Sequence, residues 1–589
     1  MITPRFEWLL PEPLLDPPAF PGFGRPLATL LARRGFTDPE QLDRFLLAGE
    51  SSLHDPSLMT DATVALDRIE RAIDAGERIA IWGDYDADGM TAVAIWVLAL
   101  RALGVEPLRH VPSRLAEGYG LSFGGLERLR AAGVTLVVTC DCGITNAAEV
   151  EQARGLGMEV IVTDHHLPSG PLPKAVAVVD PHRADCAYPD PDLTGAGIAF
   201  KLASALLARR GAAAADLAGI AAIGTIADMA PMTGESRALV RLGVEELSST
   251  ARPGLRALLA RAAEQPSAPT ARDLAFGVAP RINAAGRIAD AELAISLLLE
   301  DDAAAAEQIA DQLEAVHHQR RALTAAAVEE ARAAVAALEG DGPIALRNDA
   351  WAPGVLGLVA SRLVDTLARP VAVAGRIDDE LRGSVRAPAD FHVALALEAC
   401  APFLIKRGGH PAAGGFSLRL EAWGSFAQAF SGLPRPFPAD AAQVPERADR
   451  IAVDLVLPAS YLGWPLAEQI ARLVPFGPGH VEPMLAITGL RVVEARRVGA
   501  GADHVALRMR HGAEVIDAIA FGVPIERALP EAGAALDLVG TLERDLFQGV
   551  PRLRIRVADF AGAELSSLAT RRLAARPLAV EAPDVVAVG

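Results

Sequence analysis

Three aspartates at every second position, Asp84, Asp86 and Asp88 in Gly83-Asp84-Tyr85-Asp86-Ala87-Asp88-Gly89, follow directly on the apolar run Ile79-Ala80-Ile81-Trp82. Aspartate favours neither helix interiors nor strands, so the triplet predicts a loop that gathers negative charge at the end of a buried strand. Crowded carboxylates repel one another, and a hard divalent cation relieves the repulsion by accepting oxygen ligands. Taken alone, such a loop fits a catalytic metal, a calcium-type structural site or a solvated acidic turn. Three further apolar segments end the same way. Leu136 to Thr139 runs into Cys140-Asp141-Cys142-Gly143, Val160 to Val162 into Thr163-Asp164-His165-His166, and Ile220 to Ile226 into Ala227-Asp228. Each has an ordinary explanation: a helix cap for Asp141, a surface turn for Asp164 to His166, a salt bridge for Asp228. Four such endings together point to one cluster of Asp and His, a donor mixture that suits Mn²⁺ or Mg²⁺ better than zinc. Cys140 and Cys142 read as small buried residues at a strand end rather than as redox or zinc ligands.

The elements that must position this cluster alternate between strand and helix. Short β-branched runs at Ile79 to Trp82, Leu136 to Thr139, Val160 to Val162 and Val176 to Val179, with a helix over Thr91 to Leu103, predict an α/β domain with a doubly wound, mostly parallel sheet over 51–288. Ligands of such sheets bind beyond the carboxyl ends of the strands, where the Asp and His residues fall. Before it, 1–50 reads as a packing extension with short helices near Leu27 to Arg34 and Pro39 to Leu47. After it, 289–340 reads as long connecting helices; Ile309, Leu313, Val316 and Leu323 keep one face, and His317 and His318 are expected to be exposed. The turn Thr194-Gly195-Ala196-Gly197 is expected to serve helix packing.

The last domain, 447–560, reads as β-rich. His504 to Arg510 alternates apolar with small or basic residues, and Arg552-Leu553-Arg554-Ile555-Arg556-Val557 alternates more cleanly, with Leu553, Ile555 and Val557 inward and three arginines outward. A small barrel with one basic face is the shape of an OB-fold that tracks single-strand nucleic acid. The tail, 561–589, has no period and is expected to be flexible.

A chain of 589 residues with 51% apolar composition suggests roughly three or four domains of a soluble protein. Its formal net charge of -18 weighs against bulk, sequence-independent nucleic-acid binding but leaves room for a local basic channel. No secretory signal and no apolar run long enough to span a bilayer are visible, and four cysteines are sparse, so the reduced cytoplasm is the default.

In order along the chain, Asp84 to Gly89, Asp141, Asp164-His165-His166 and Gly224-Thr225-Ile226-Ala227-Asp228 resemble the four motifs of the DHH phosphoesterase superfamily. Arg382-Gly383-Ser384-Val385-Arg386 with Gly408 to Gly415 resembles the DHHA1 domain, here 341–440, a smaller α/β substrate-binding domain. His110 to Arg114 with Glu117-Gly118-Tyr119-Gly120, Arg281 to Arg287, Trp351 to Leu363 and Pro475 to Gly479 resemble the RecJ-like single-strand DNA exonucleases, which carry a C-terminal OB-fold. The resemblance covers about residues 50 to 560. It implies a phosphodiesterase with two Mn²⁺ or Mg²⁺ ions that degrades single-stranded DNA 5′→3′ to 5′-mononucleotides in recombination and repair. It also implies that Asp86 and Asp141 hold one ion, and that Asp88, His165 and Asp228 hold the other with Asp141 bridging. Asp84 is a ligand or near-ligand, His166 contacts the scissile phosphate, and Asp164 orients the histidine pair. Arg114, Arg281, Arg287, Ser384, Arg386 and His410 would hold the substrate end, and Arg552, Arg554 and Arg556 the strand on the barrel.

Ala352 stands where relatives usually have His, His480 where they have Asn, and Gly414 where they have Ala. The Ala352 change puts a substrate or interdomain contact in question. Two alternatives remain at this point: a DHH-DHHA1 phosphodiesterase for short oligoribonucleotides or cyclic dinucleotides, generally shorter and without the barrel, and a non-catalytic replication scaffold, which would have lost metal ligands. Single-stranded DNA is the implied partner of a monomer. A single-strand-binding protein and a helicase are candidate protein partners.

Overall fold

Ile79–Gly83 (β1) is buried along its whole length, and alternate side chains serve two different cores. Ile79 and Ile81 pack with helices on one face, Ala80 and Trp82 with helices on the other, which is why the run is continuously apolar. The computed structural model describes residues 2–114, 117–338, 340–438, 450–499, 501–547 and 550–562, and these fall into two compact units, 49–445 and 1–48 with 446–589.

In the larger unit β1 leads into helix Ala87–Ala102 (α1), followed by strands Leu108–His110 (β2), Leu136–Cys140 (β3), Glu159–Thr163 (β4) and Ala177–Val179 (β5). All pair in parallel, in the order β2-β1-β3-β4-β5. The chain reverses its winding between β1 and β3. Such a switch point leaves a crevice at the carboxyl ends of those two strands, and Asp84 and Asp141 stand there. Helices Gly195–Arg209 (α2) and Leu217–Ala227 (α3) pack on α1. The apolar stretch Ile220 to Ile226 is thus helical: with no hydrophilic face it is buried among helices, and Asp228 arrives at a helix carboxyl end instead of a strand end.

Helix Ala279–Ile288 (α4) lies against the 33-residue helix Ala303–Val335 (α5). On α5, Leu313 is buried and Ile309, Val316 and Leu323 half-buried. His317 departs from expectation. It is buried, with Nδ1 3.3 Å from the Pro280 carbonyl, because α4 covers that side of α5; His318 is exposed as expected.

The chain continues into a second sheet built from Ile344–Arg347 (β6), Val371–Ile377 (β7), Glu380–Arg386 (β8), Lys406–Gly409 (β9) and Ala413–Arg419 (β10), in the order β9-β10-β8-β7-β6, with only β6 and β7 parallel.

The other unit is a barrel. Leu455–Pro458 (β11) flanks Leu485–Val498 (β12), His504–His511 (β13), Glu514–Ala520 (β14), Ala535–Phe547 (β15) and Val550–Gly562 (β16), in the order β11-β12-β13-β14-β16-β15, and β12 pairs with β15 to close five strands. This is the OB architecture. The amino-terminal extension completes it. Leu27, Leu30 and Leu31 share its core with Leu485, Leu507 and Ile555, Glu7–Leu9 pairs with Arg450–Ala452, and the Trp8 indole donates to Asp559. The predicted flexible tail lies, from residue 563 on, outside the described residues.

Candidate active site

The Asp84 to Asp88 loop is held by its own hydrogen bonds. Asp86 caps α1, its Oδ1 accepting the N–H groups of Asp88 and Gly89 at 3.0 and 3.1 Å. Gly89 is required by close approach: a Cβ there would lie 2.6 Å from the Asp84 nitrogen. Asp88 accepts from Gly195 N at 2.7 Å and Ala196 N at 3.0 Å, at the start of α2. The Thr194 to Gly197 turn therefore does more than pack helices. Its backbone fixes a carboxylate, and Gly195 is glycine because a Cβ would press within 2.5 Å of the Asp141 Cβ.

Asp141 adopts a left-handed φ of 62° just past β3, and its Oδ1 lies 3.0 Å from His165 Nε2. That nitrogen is also 3.8 Å from both Asp88 and Asp228. Asp164 is fully buried beneath the histidines; it accepts from the His165 and His166 amides and, at 2.7 Å, from His166 Nδ1. Tyr119, in the Glu117 to Gly120 segment, brings its hydroxyl 3.1 Å from the same His166 nitrogen. Potential ligand atoms fall into three groups, each within 4.8 Å: Asp84, Asp86 and Asp141; Asp88, His165 and Asp228; Asp141, His165 and His166.

Burial, then mutual repulsion, makes the ionised cluster unfavourable as it stands. Asp84 and Asp141 are pushed well above the carboxylate range by burial and by the neighbouring aspartates. Asp88 is pushed up to about 7 by burial and Asp86, and Asp228 to about 8 by burial, Asp88 and Asp86. Burial pulls His165 down to about 4, aided by His166. Burial opposes charge on His166 too, but the Asp164 hydrogen bond outweighs it and lifts His166 to about 9. The buried Asp84 Oδ1 has no hydrogen-bond donor among the described residues. Oxygen-rich, mutually repelling and partly unsatisfied, this donor set fits a pair of hard divalent ions.

One nearby residue escaped the sequence reading. Asp180, directly after β5, is buried; its Oδ1 accepts the His182 amide at 2.7 Å, and His182 Nδ1 lies 2.6 Å from the His165 carbonyl. Its signal was the strand-end position that marked the others.

A second feature adjoins the acidic loop. A cavity of about 480 Å³ is lined by Arg114, Arg287, Arg382 and Arg386 with Ser384, the backbone of Gly354, Gly357 and Gly414, and, among the described residues, no carboxylate. Arg114 lies 4.0 Å over the ring of Tyr85, between Asp84 and Asp86. Arg386 donates to Ser384 Oγ at 3.0 Å, and Arg382 to the Arg114 carbonyl at 3.2 Å. Burial, then Arg114 and Arg320, pulls Arg287 down to about 10; burial and Arg114 likewise lower Arg386. Four guanidiniums facing one cavity without an acid are a donor set that suits a polyanion.

Models of three domain families match this chain: the DHH family N-terminal domain over 78–225, the DHHA1 domain over 330–433 and the RecJ OB domain over 453–559. The single-stranded-DNA-specific exonuclease RecJ of Dickeya dadantii is 36% identical, covering 84% of this chain and 89% of that protein. The corresponding Bacillus subtilis protein is 32% identical, over 91% and 68%. The chain belongs to the RecJ family. A crystal structure of RecJ in complex with Mn²⁺ from Thermus thermophilus superposes with a TM-score of 0.78 at 31% identity, covering 95% of this chain and 80% of that one.

Within this RecJ-family framework two expectations need correction. Arg281 does not line the arginine cavity. It forms a two-pronged pair with Glu314 of α5, at 2.6 and 3.0 Å, because α4 lies alongside α5. The three outward arginines of β16 do not form an open basic face either. Arg552 meets Asp517, Arg554 meets Glu543, and Arg556 meets Glu482 and Glu543, since strands β14 and β15 and the segment just before β12 present acids opposite them. Arg508 and Arg510 are exposed on β13, on either side of buried Met509, and Arg508 lies 3.6 Å from Asp517. His410 is exposed on the turn between β9 and β10, outside the residues lining the cavity. Ala352 is half-buried beside Pro353 and Gly354 at the cavity wall. His480 is structural, its Nε2 2.9 Å from the Leu473 carbonyl and its ring stacked on Phe476.

Proposed function

We propose that this protein is a metal-dependent exonuclease that hydrolyses the phosphodiester bonds of single-stranded DNA from the 5′ end, releasing 5′-mononucleotides, in recombination and repair. The observation that carries the reading is the junction of an Asp/His cluster with a cavity lined by four arginines. Polarity and pathway rest on membership of the RecJ family. The OB barrel and the filled set of Asp and His positions weigh against the cyclic-dinucleotide and scaffold alternatives.

In this reading Asp86 and Asp141 hold one divalent ion, and Asp88, His165 and Asp228 the other, with Asp141 shared and Asp84 beside them. A bound Mn²⁺ or Mg²⁺ pair supplies charge neutralisation and Lewis acidity for phosphodiester hydrolysis. Asp164 orients His165 and His166, and His166, held protonated by Asp164, faces the anionic substrate. Arg114, Arg287, Arg386 and Ser384 hold the terminal phosphate, while Arg508 and Arg510 follow the strand on the barrel. The catalytic domain spans 51–288, the substrate-binding domain 341–440 and the OB domain 447–560. The reading includes a monomer in the cytoplasm, with a single-strand-binding protein and a helicase as candidate partners. Among the described residues no helix is long and apolar enough to cross a membrane.

The test compares oligomers that differ only at the 5′ end. Arg287→Ala or Arg386→Ala is expected to slow cleavage of 5′-phosphorylated single strands by about 10–100-fold, the weight of a charge-assisted contact, with a much smaller effect on 5′-hydroxyl strands. Equal losses on both would remove the terminal-phosphate role.

A further inference from the structure

Helix α1 begins inside the acidic loop, so the donors of its first turn decide how firmly that loop is held. The Asp86 side chain takes the N–H groups of Asp88 and Gly89, and the Asp86 carbonyl takes that of Met90 at 2.9 Å. The remaining donor, the N–H of fully buried Ala87, is left out of reach of its own loop. It is taken by Asn283 Oδ1 at 3.0 Å, from α4, nearly two hundred residues along the chain. A second contact from the same helix confines the loop. Gly286 packs so closely on the Tyr85 carbonyl that a Cβ would lie 1.7 Å from it. Tyr85 and Ala87 are the two residues that flank Asp86, and α4 grips both.

The geometry points to Asn283 as a positioning residue for the metal ligands, its amide oxygen completing the cap of α1 and so holding Asp86 and Asp88 each in its own group of ligands. Asn283 touches neither substrate nor ion in this account. A buried amide that loses its acceptor pays its desolvation in full, and the loop escapes that cost only by rotating Ala87 outward, which moves the carboxylates on either side. Hydrophobic packing of α4 alone would not need an amide here; a leucine has the same branched shape, somewhat larger, and no acceptor. The inference rests on the reading of the Asp/His cluster as a divalent-metal site.

The decisive measurement is calorimetric titration of the metal-free full-length protein with Mn²⁺, without DNA. Asn283→Leu is expected to weaken Mn²⁺ binding about tenfold, the equivalent of one lost buried acceptor. Asn283→Asp, which keeps an oxygen at the same reach, is expected to bind within about threefold of the original protein or more tightly. In turnover, Asn283→Leu should shift the Mn²⁺ concentration for half-maximal rate upward while excess Mn²⁺ restores kcat, a pattern that general loss of structure does not give. Should Asn283→Leu fail to fold, Asn283→Ala replaces it, and faster amide exchange of the 84–90 peptide relative to the original protein is the matching result. Unchanged Mn²⁺ affinity in the leucine or alanine variant, equal weakening in the aspartate variant, or unchanged exchange would overturn the positioning role. If the original protein itself does not bind Mn²⁺, the metal reading fails first, and the two failures are thereby distinguished.

Discussion

Asp141 concentrates what the site asks of one side chain: a left-handed backbone, a buried carboxylate and a short distance to His165. Asp141→Ala should reduce Mn²⁺-dependent hydrolysis by more than the about 10–100-fold typical when an outer partner of a metal ligand is lost, and Asp164→Asn should fall within that range. Single-strand binding in a filter assay should survive both; a variant at Asp141 that still turns over would remove its central place. His317 makes a separate prediction about pH. Burial, then Arg281 and Arg320, hold its folded pKa down at about 4, below the 6.5 of the unfolded chain. Folding therefore favours the neutral ring, so its contribution is complete above pH 6.5 and is lost as pH falls toward 4. His317→Gln should narrow the drop in melting temperature between pH 7.5, about one unit above that window, and pH 5, about one unit above its lower edge; an unchanged drop would assign acid sensitivity elsewhere. Much of the site was legible in single residues, because Asp84, Asp141 and Asp164 follow unmistakable apolar runs. Asp180 obeys the same rule at the end of β5. The partner of Arg281, thirty-three positions away on another helix, leaves no mark in the sequence around it.

Among the elements, β1, β3, β4 and β5 were readable because a strand buried on both faces presents a continuous apolar run, as Ile79 to Trp82, Leu136 to Val138 and Val160 to Val162 do, whereas the half-buried edge strand β2 presents none. The stretch before Asp228 was not, since a helix buried on every side shows no period. The barrel shows the converse difficulty. The alternation in β16 gave the inward Leu553, Ile555 and Val557 correctly, but what faces the outward arginines depends on β14 and β15, and pairing is not visible within one strand. The amino-terminal extension carries its own prediction. Leu27, Leu30 and Leu31 are buried with barrel residues, and fully exposing such side chains costs about 1.5–3 kcal/mol each. A fragment of residues 49–445 should therefore remain soluble with a cooperative melt, whereas residues 1–445 should aggregate or bind a hydrophobic dye. Equal behaviour of the two fragments would show that the extension is stable without the barrel.

The formal charge of -18 and the affinity for a polyanion are reconciled by where the arginines stand: four line one cavity without a carboxylate among its described residues, and Arg508 and Arg510 lie exposed on β13. If the barrel guides the strand, Arg508→Ala with Arg510→Ala should weaken binding of long single strands and flatten its dependence on log salt by about 1.4, two lost phosphate contacts at about 0.7 each. An unchanged slope would move the guiding surface elsewhere. The central claim is that a divalent-metal site and an arginine cavity together remove nucleotides from the 5′ end of single strands. It is tested most directly by digesting matched single-stranded and duplex oligomers, labelled at either end, with Mn²⁺ and with a chelator. The account predicts that a labelled 5′-mononucleotide is the first product from 5′-labelled single strands, that the 3′ label is released last, and that duplex and chelated reactions stay intact. Early release of the 3′ label, equal attack on duplex, or turnover in chelator would contradict it.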